Sequence, residues 1–267
     1  MTAAAKRALV GYTLPLSPTG VSALVPAPPW HFSGDVLVIE YRADPAALDA
    51  FLPPGLDAGE LDGLAAAIFG EWQSCTDGGE ELLDPVRSQY REFYVALACT
   101  WHDEFVVRCP FCWVDKDFSL VRGLVQGYPK KLGSIAITRA YGIGRASPEV
   151  GRGGRFAGTL AASDRRLVEA TVTLERRDDA PALMTAPLVH TRRFPAWDAA
   201  EPDLEELVTG GSSDQAVRDV WSGRAELRFF DSPVDELSLL APVEVLRGYR
   251  LSFAETIAGG RLLSRSD

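Results

Sequence analysis

Short stretches of alternating apolar and polar residues, separated by Gly- and Asp-rich turns, run through much of this chain. Successive side chains of a β-strand point to opposite faces of a sheet, so this alternation predicts strands. The predicted strands are residues 36–41, 65–74, 90–101, 105–114, 134–139, 158–162 and 167–174. The pattern therefore predicts an α+β fold that is mostly antiparallel β, with a few short helices.

The two ends of the chain carry different signals. Five prolines within residues 1–29 predict an extended N-terminal arm laid over the body of the protein. No internal repeat or linker divides residues 30–267, which are predicted to form one domain. Residues 201–219 are acidic, with helical spacing at Leu204 and Leu207, and we expect a surface segment or loop there.

One short helix is predicted near the start of the domain. Asp44 is a suitable N-cap, and Pro45 occupies the first helical position, where its missing N–H has no cost. The pair Pro53-Pro54 ends this helix.

Composition and charge exclude several classes of function. The chain has 267 residues, of which 46% are hydrophobic and 24% charged, so it is long enough and apolar enough for a sizeable core. A net charge of −10 argues against nucleic acid and anionic membranes as main partners. No apolar run approaches a membrane span, and the residues after Lys6-Arg7 do not form a signal peptide. We therefore expect a cytoplasmic protein.

The four cysteines do not indicate a metal site. Cys109 and Cys112 form a CxxC motif, but a zinc site needs two more ligands, and the three histidines show no paired spacing. Strand patterns on both sides of the motif argue against a redox turn. We expect reduced, structural thiols and no metal.

The residues with the clearest chemical potential are two adjacent lysines, Lys130 and Lys131. An unperturbed lysine has a pKa of about 10.4, so very little of its amine is neutral at pH 7. Desolvation or a neighbouring cation lowers that pKa, and the neutral amine can then form an imine with a ketone. On spacing alone, however, a solvated lysine pair after a turn is the more common structure.

The motif around these lysines resembles the signature of the acetoacetate decarboxylase superfamily. It reads Tyr128-Pro129-Lys130-Lys131-Leu132-Gly133, and the resemblance extends over roughly residues 30–255, including Trp221-Ser222-Gly223. It implies a cone-like barrel of curved sheets in which Lys130 forms the imine and Lys131 is the second lysine. Activation of the first lysine is carried over with the resemblance. In a regular strand Lys131 would point away from Lys130, and desolvation would then be the main cause of activation.

The resemblance also implies carboxylates near the lysine. Glu92, two residues after Tyr90, matches the family carboxylate that removes a proton beside the imine or positions a water. The alternative is a surface glutamate paired with Arg91. Glu71 is a weaker match and is expected as a supporting carboxylate of the substrate-binding set.

One departure from the family bears on the reaction. Acetoacetate decarboxylases have an arginine near residues 33–37 that binds the substrate carboxylate, and here the matching position falls on Gly34. Other branches lack that arginine and resemble aldolase-dehydratases, which condense pyruvate or another 2-oxo acid with an aldehyde. In that branch Gln126 would hold the carboxylate and Tyr249 would serve in acid–base steps. A loop amide and a half-buried strand tyrosine are the alternatives for these two, and Tyr128 is expected mainly to pack.

The resemblance predicts a lyase that acts through a lysine imine, without a metal or organic cofactor. The favoured reaction is aldol condensation and dehydration of a 2-oxo acid with an aldehyde. Decarboxylation of acetoacetate or another β-keto acid is the alternative, and a non-catalytic binding module for a carbonyl or lipid-like ligand is a third possibility. A homo-oligomer is expected from the family.

Overall fold

The computed structural model describes residues 8–265, so Lys6, Arg7 and the start of the predicted arm lie outside the described residues. Eleven strands carry most of the structure. They are β1 (Trp30–Arg42), β2 (Leu64–Cys75), β3 (Gln89–Trp101), β4 (Glu104–Val114), β5 (Lys130–Leu132), β6 (Ser134–Ile137), β7 (Arg155–Ala162), β8 (Arg165–Arg177), β9 (Leu188–Phe194), β10 (Leu204–Phe229) and β11 (Glu244–Arg265). The predicted mostly antiparallel β fold is confirmed.

The strands form one strongly curved sheet. Its order is β11-β1-β2-β3-β4-β9-β10-β8-β7-β6, and a further pairing of β10 with β11 closes the first seven of these strands into a ring. Only the short pairings of β4 with β5 and with β9 are parallel. The result is a cone of curved sheet, not a regular barrel.

The two faces of the sheet bury different apolar clusters. Alternate residues of β1, β2, β3 and β11 build the first face, which includes Val36, Ile68, Tyr94 and Leu251. The residues between them build the second face, and β6, β7 and β8 cover it; it includes Leu37, Phe69, Phe93, Trp113 and Leu160. At roughly 25 cal/mol per Å² of buried apolar surface, these two clusters are the main source of stability.

Four short helices connect the strands, namely α1 (Pro45–Asp49), α2 (Pro85–Ser88), α3 (Asp117–Gln126) and α4 (Ala182–Thr185). The helix predicted after Asp44 is α1. The Asp44 side chain accepts a hydrogen bond from the Ala47 N–H at 2.9 Å, and Pro45 occupies the first turn, as predicted.

Two segments test the predictions at the ends of the chain. Residues 8–29 contain no helix and only an isolated bridge between Val10 and Ser17, and the division into an arm and one domain stays a prediction. Residues 201–219 lie largely within β10, so the loop predicted as one alternative for them is wrong, whereas a surface location holds for residues 210–219, most of which are exposed. This strand pairs with both β9 and β11, so its backbone hydrogen bonds outweigh its polar composition. No helix within residues 8–265 is long and apolar enough to span a bilayer.

Candidate active site

A sharp turn after α3 brings the lysine pair back to the sheet. α3 ends at Gly127, whose φ of 92° lies in the left-handed region and whose N–H bonds the carbonyls of Gly123 and Leu124. A Cβ here would lie 2.8 Å from the Arg192 side chain and 3.0 Å from that of His190. Both the left-handed backbone angle and the lack of space therefore require glycine. The chain then enters β5, in which Lys130 lies beside Cys112 of β4.

Lys130 lies on the first face and is buried, with 8% of its surface exposed. Its Nζ lies 2.6 Å from Oε2 of Glu92 and donates to Oγ of Ser119 at 3.1 Å. The rings of Tyr90 and Tyr128 flank it, with centroids 5.5 and 5.2 Å away. Glu92 is therefore placed to take the proton that the lysine must lose before it can act as a nucleophile.

Glu92 is buried on the same face, opposite Gly70 of β2 and Val114 of β4. Its Oε2 is close enough to Lys130 for an ion pair but is not aligned for a directional hydrogen bond. Arg91 points to the second face, where it contacts Glu71 and Asp115. The structure therefore pairs Glu92 with the lysine and not with Arg91.

One face of α3 packs against the lysine. Residues spaced i, i+3, i+4 and i+7 share one side of a helix, and here they are Ser119, Arg122, Gly123 and Gln126. A Cβ on Gly123 would lie 2.3 Å from Cδ of Lys130, so the absence of a side chain there makes room for the lysine stem.

Arg122, which the sequence analysis did not single out, is a buried cation. Its guanidinium lies among the rings of Phe32, Tyr90 and Phe118, with centroids 4.6, 5.4 and 5.6 Å away, and Nη1 donates to Oγ of Ser74 at 3.1 Å. Its Nη2 is buried without a hydrogen-bond partner, and no carboxylate within residues 8–265 forms an ion pair with this side chain. Because a buried charge without a counter-ion is costly, this arrangement is suited to an anionic ligand.

A second carboxylate, Glu255 of β11, belongs to the same electrostatic group. Burial raises its pKa, the Oγ–H of Ser212 opposes this by donating to it at 2.5 Å, and the charge of Glu92 adds to the rise. The charges of Glu92 and Glu255 also help to raise the pKa of the Tyr128 hydroxyl, after burial as the first cause. Glu255 is thus biased toward its protonated form near Lys130. The sequence signal for it is weak, since it is one of several polar residues in a long strand.

The remaining predicted residues occupy three different places. Gln126 is half-buried in the last turn of α3, and Tyr128 is half-buried with its ring beside Lys130. Lys131 lies on the second face, half exposed, where it pairs with Asp235 and its Nζ is 5.4 Å from the Trp113 ring. The strand alternation of β5 therefore separates the two lysine side chains.

The structure does not bring the Tyr249 hydroxyl to Lys130. This hydroxyl donates to Oε2 of Glu40 at 3.0 Å. Burial first, and then the charge of Glu40, raises the Tyr249 pKa; Asp178 adds to the rise and the charge of Arg247 opposes it. These residues form a separate polar group. The charge of Glu255, by contrast, acts on Tyr128, whose ring lies beside Lys130.

Glu71 also lies apart from the lysine, on the second face of β2, where it pairs with Arg91 and Arg139. It lines a surface groove with a cavity volume of about 1080 Å³, together with Asp35. Lys130 is not among the residues of this groove. The groove is large, but its acidic and basic side chains neutralise one another, so the buried lysine is the better candidate for chemistry.

The space above Gly34 is filled by an aromatic side chain. A Cβ on Gly34 of β1 would lie 2.6 Å from Cε3 of Trp72 on the neighbouring strand β2. The same indole also covers Gly70 of β2. Trp72 therefore occupies the side of β1 on which the sequence analysis expected an arginine in decarboxylases.

The cysteines are free thiols. Cys109 and Cys112 are both fully buried in β4, and burial is the first cause that raises the pKa of the Cys112 thiol. Within residues 8–265 no group of three or more His, Cys, Asp or Glu side chains is placed to hold a metal ion.

The site thus combines a buried lysine paired with a buried carboxylate and, on the same Tyr90 ring, a buried arginine without an ion-pair partner among the described residues. The family model for acetoacetate decarboxylase matches residues 13–266. This chain therefore belongs to the acetoacetate decarboxylase family, and the predicted family is confirmed. A comparison with curated proteins gives no match.

Solved structures share the fold over nearly the whole chain. The enduracididine biosynthesis enzyme MppR, complexed with the condensation product of pyruvate and imidazole 4-carboxaldehyde, is 46% identical; the match covers 98% of this chain and 99% of that one, with a TM-score of 0.92. MppR complexed with pyruvate is 46% identical over 97% of this chain and 99% of that one, with a TM-score of 0.91. An acetoacetate decarboxylase-like enzyme from Sphingomonas wittichii RW1 is 32% identical over 96% of this chain and 100% of that one, with a TM-score of 0.89.

Proposed function

We propose that this enzyme is an aldolase-dehydratase that condenses pyruvate, or a similar 2-oxo acid, with an aldehyde through an imine on Lys130. The observation that carries the proposal is the arrangement of three buried charges. Lys130 and Glu92 are paired at 2.6 Å, while the Arg122 guanidinium beside them has no carboxylate partner among the described residues. A 2-oxo acid supplies both a carbonyl for the lysine and a carboxylate for the arginine.

The first steps follow from these positions. Glu92 takes the proton from the Lys130 ammonium, and the neutral amine adds to the ketone carbon of pyruvate. Glu92 then returns the proton to the hydroxyl of the adduct, which leaves as water and gives the protonated imine. Arg122 and the side-chain amide of Gln126 hold the carboxylate, which stays attached to the imine carbon. Glu92 removes a proton from the adjacent methyl group, and the electrons released form the enamine.

The later steps return that proton and remove water. The enamine carbon attacks the aldehyde carbon, and the aldehyde oxygen takes the proton held by Glu92, giving a hydroxyl. Glu92 then removes the second proton of the same carbon, and the hydroxyl leaves as water with a proton from Glu255. Solvent water restores both carboxylates and hydrolyses the imine, which releases the unsaturated product and the free lysine. Lysine covalent chemistry supplies the electron sink, so the proposal requires no organic cofactor or metal.

The relatives support this choice of reaction. Pyruvate and the condensation product of pyruvate with an aldehyde are bound by MppR, with which this chain shares 46% identity. Decarboxylation of a β-keto acid is the second candidate, since Arg122 offers a cation for its carboxylate as well. The indole of Trp72 above Gly34 favours the condensation, because it fills the space where a further arginine would stand.

The test is borohydride trapping with pyruvate and, separately, with acetoacetate, followed by mass spectrometry and peptide mapping. We expect a pyruvate adduct on Lys130, deuterium exchange into the pyruvate methyl group, and turnover of imidazole 4-carboxaldehyde in the presence of pyruvate. Fast CO2 release from acetoacetate without methyl exchange would overturn the condensation and show that the enzyme is a decarboxylase. A protein with no substrate-dependent adduct would be a binding module.

We further propose a cytoplasmic homo-oligomer, with residues 1–29 as an arm outside a single domain of residues 30–267. Large apolar side chains of the arm are exposed, including Leu14 at 75% and Val21 at 77%, which supports a contact with another copy. Light scattering of the full chain should show an oligomer, and a strict monomer would remove this part of the proposal.

A further inference from the structure

His190 of β9 is a buried polar residue that the proposed steps leave without a role. It is 1% exposed, and its ring centroid lies 3.7 Å from that of Tyr128, with an interplanar angle of 36°. Both ring nitrogens are buried, and neither has a hydrogen-bond partner in the structure. A buried donor or acceptor without a partner costs about 1–3 kcal/mol, so two on one side chain need an explanation.

The imidazole is neutral in this setting. Burial, and then the charges of Arg108 and Lys130, hold the pKa of His190 well below its usual range. A neutral imidazole has one N–H donor and one acceptor nitrogen. The N–H therefore needs an acceptor on the side of the ring to which it points, such as the oxygen of a carbonyl or hydroxyl group.

The order of aromatic rings places His190 at one end of the site. The Tyr90 ring contacts both the Arg122 guanidinium, at 5.4 Å, and Nζ of Lys130, at 5.5 Å. The Tyr128 ring also lies 5.2 Å from Nζ, and His190 stacks on Tyr128. Arg122 therefore contacts one of the two tyrosine rings at Lys130, and His190 contacts the other.

A pyruvate imine on Lys130 has a matching polarity. Its carboxylate and its methyl group are attached to opposite sides of the imine carbon. If Arg122 holds the carboxylate, the methyl group points away from Tyr90 and toward Tyr128. The aldehyde that reacts with that methyl group must then approach along the Tyr128 ring, on which His190 stacks.

We propose that His190 is the binding residue for the second substrate, and that it hydrogen-bonds the aldehyde oxygen and the hydroxyl formed from it. This assignment rests on the proposed condensation. The neutral N–H donates to the aldehyde oxygen as negative charge develops there during carbon–carbon bond formation. After Glu92 returns its proton to that oxygen, the new hydroxyl keeps accepting from the same N–H until it leaves as water. Imidazole itself neither gains nor loses a proton in this account.

The experiment separates the two half-reactions in the full-length protein. His190→Phe keeps a flat ring of similar size for stacking on Tyr128 but removes both hydrogen-bonding atoms. We expect it to form the borohydride-trapped pyruvate adduct and to exchange the pyruvate methyl within about threefold of the wild-type rate. Condensation with imidazole 4-carboxaldehyde should fall at least about tenfold, as expected for a lost hydrogen bond in the transition state.

Two further variants complete the design. His190→Gln restores one donor and one acceptor, and it should recover part of the condensation rate. His31→Gln is the matched control and should condense at the wild-type rate. His31 lies in β1, where its ring nitrogens bond to Thr256 and Asp77. Thermal unfolding of each variant identifies losses that come from misfolding.

The outcomes distinguish this assignment from the proposed function. A wild-type protein that forms no pyruvate adduct, or forms it without any condensation, would overturn the proposed reaction and this assignment with it. A wild-type protein that condenses, beside a His190→Phe protein that condenses equally fast, would overturn the role of His190 alone. Equal losses of methyl exchange and condensation in a folded His190→Phe would also overturn it, because the histidine would then act on the imine itself.

Discussion

Lys130 and Lys131 are neighbours in the sequence but face opposite surroundings. Lys130 is buried on the first face, beside the buried carboxylate of Glu92 and the hydroxyl of Ser119. Lys131 is half exposed on the second face, where it pairs with Asp235. The same side chain is thus placed for chemistry at one position and for a surface contact at the next.

The difference bears on how the reactive amine is activated. A neighbouring cation lowers the pKa of a lysine only if the two amines lie close together in a shared environment. Here the alternation of β5 sends the Lys131 amine to the other side of the sheet, over the Trp113 ring. Burial of Lys130 and proton transfer to Glu92 are therefore the physical basis for activation that this structure offers.

The largest expected effect is a direct test of this comparison. Lys130→Met should abolish the trapped pyruvate adduct, because no other lysine within residues 8–265 forms an ion pair with Glu92. Lys131→Met should keep the adduct and lose less than about tenfold in rate, since it removes a half-exposed charge on the opposite face. Adduct mass after borohydride reduction measures both. A loss of several hundredfold in Lys131→Met would show that its charge does act on Lys130.

A second prediction concerns the space that holds the reactive lysine. Gly123→Ala places a methyl group 2.3 Å from Cδ of Lys130, and the flexible lysine stem must move away from Glu92. We expect adduct formation to fall about a hundredfold, in line with small displacements of reacting groups. The fold should be retained, because alanine favours helix over glycine by about 1 kcal/mol.

Gly151→Ala is the matched control for that substitution. Gly151 lies in a loop, and a Cβ there would meet no atom within 4 Å. Adduct formation at the wild-type rate in both variants would mean that the lysine stem has more room than the structure indicates.

The fold and the central pair were accessible from the sequence because both depend on local patterns. Alternating residues predicted most of the strands, and Pro129-Lys130-Lys131-Leu132-Gly133 predicted the family. The position of Glu92 followed from the family spacing, and the structure places it beside the lysine. A motif of adjacent residues can be recognised without knowing how the chain folds, so it identifies the family directly from the sequence.

The rest of the site depends on how distant segments meet. In the sequence Arg122 is one charge in a polar stretch. The structure shows that it lies in α3, where Arg122 and Gly123 follow Ser119 by three and four residues and so share its side of the helix. The glycine at the C-terminus of α3 was a usable signal for that helix. Glu255 had no such signal, because the face of a long strand depends on its register, and the pairing of β10 with β11 shifts register several times. His190 lies in the short strand β9, and its contact with Tyr128 joins segments that are far apart in the sequence.

The smallest effect predicted here is a difference in acid stability between the two faces. His190 stays neutral in the folded protein because its pKa is lowered, first by burial, whereas in the unfolded chain it takes up a proton below about pH 6.5. The stability associated with His190 is therefore fully present above that pH and is lost as the pH falls, by up to about 1.4 kcal/mol per pH unit.

Between pH 6.5 and 5.5 the unfolding free energy of His190→Phe should decrease less than that of the wild-type protein, by about 1 kcal/mol. Lys131→Met should keep the wild-type pH dependence, since it leaves His190 and its surroundings unchanged. Parallel curves for the wild-type protein and His190→Phe, from urea unfolding at each pH, would mean that the imidazole is charged or solvated in the folded state. Its two nitrogens would then already be satisfied, and the first face would be no more sensitive to acid than the second.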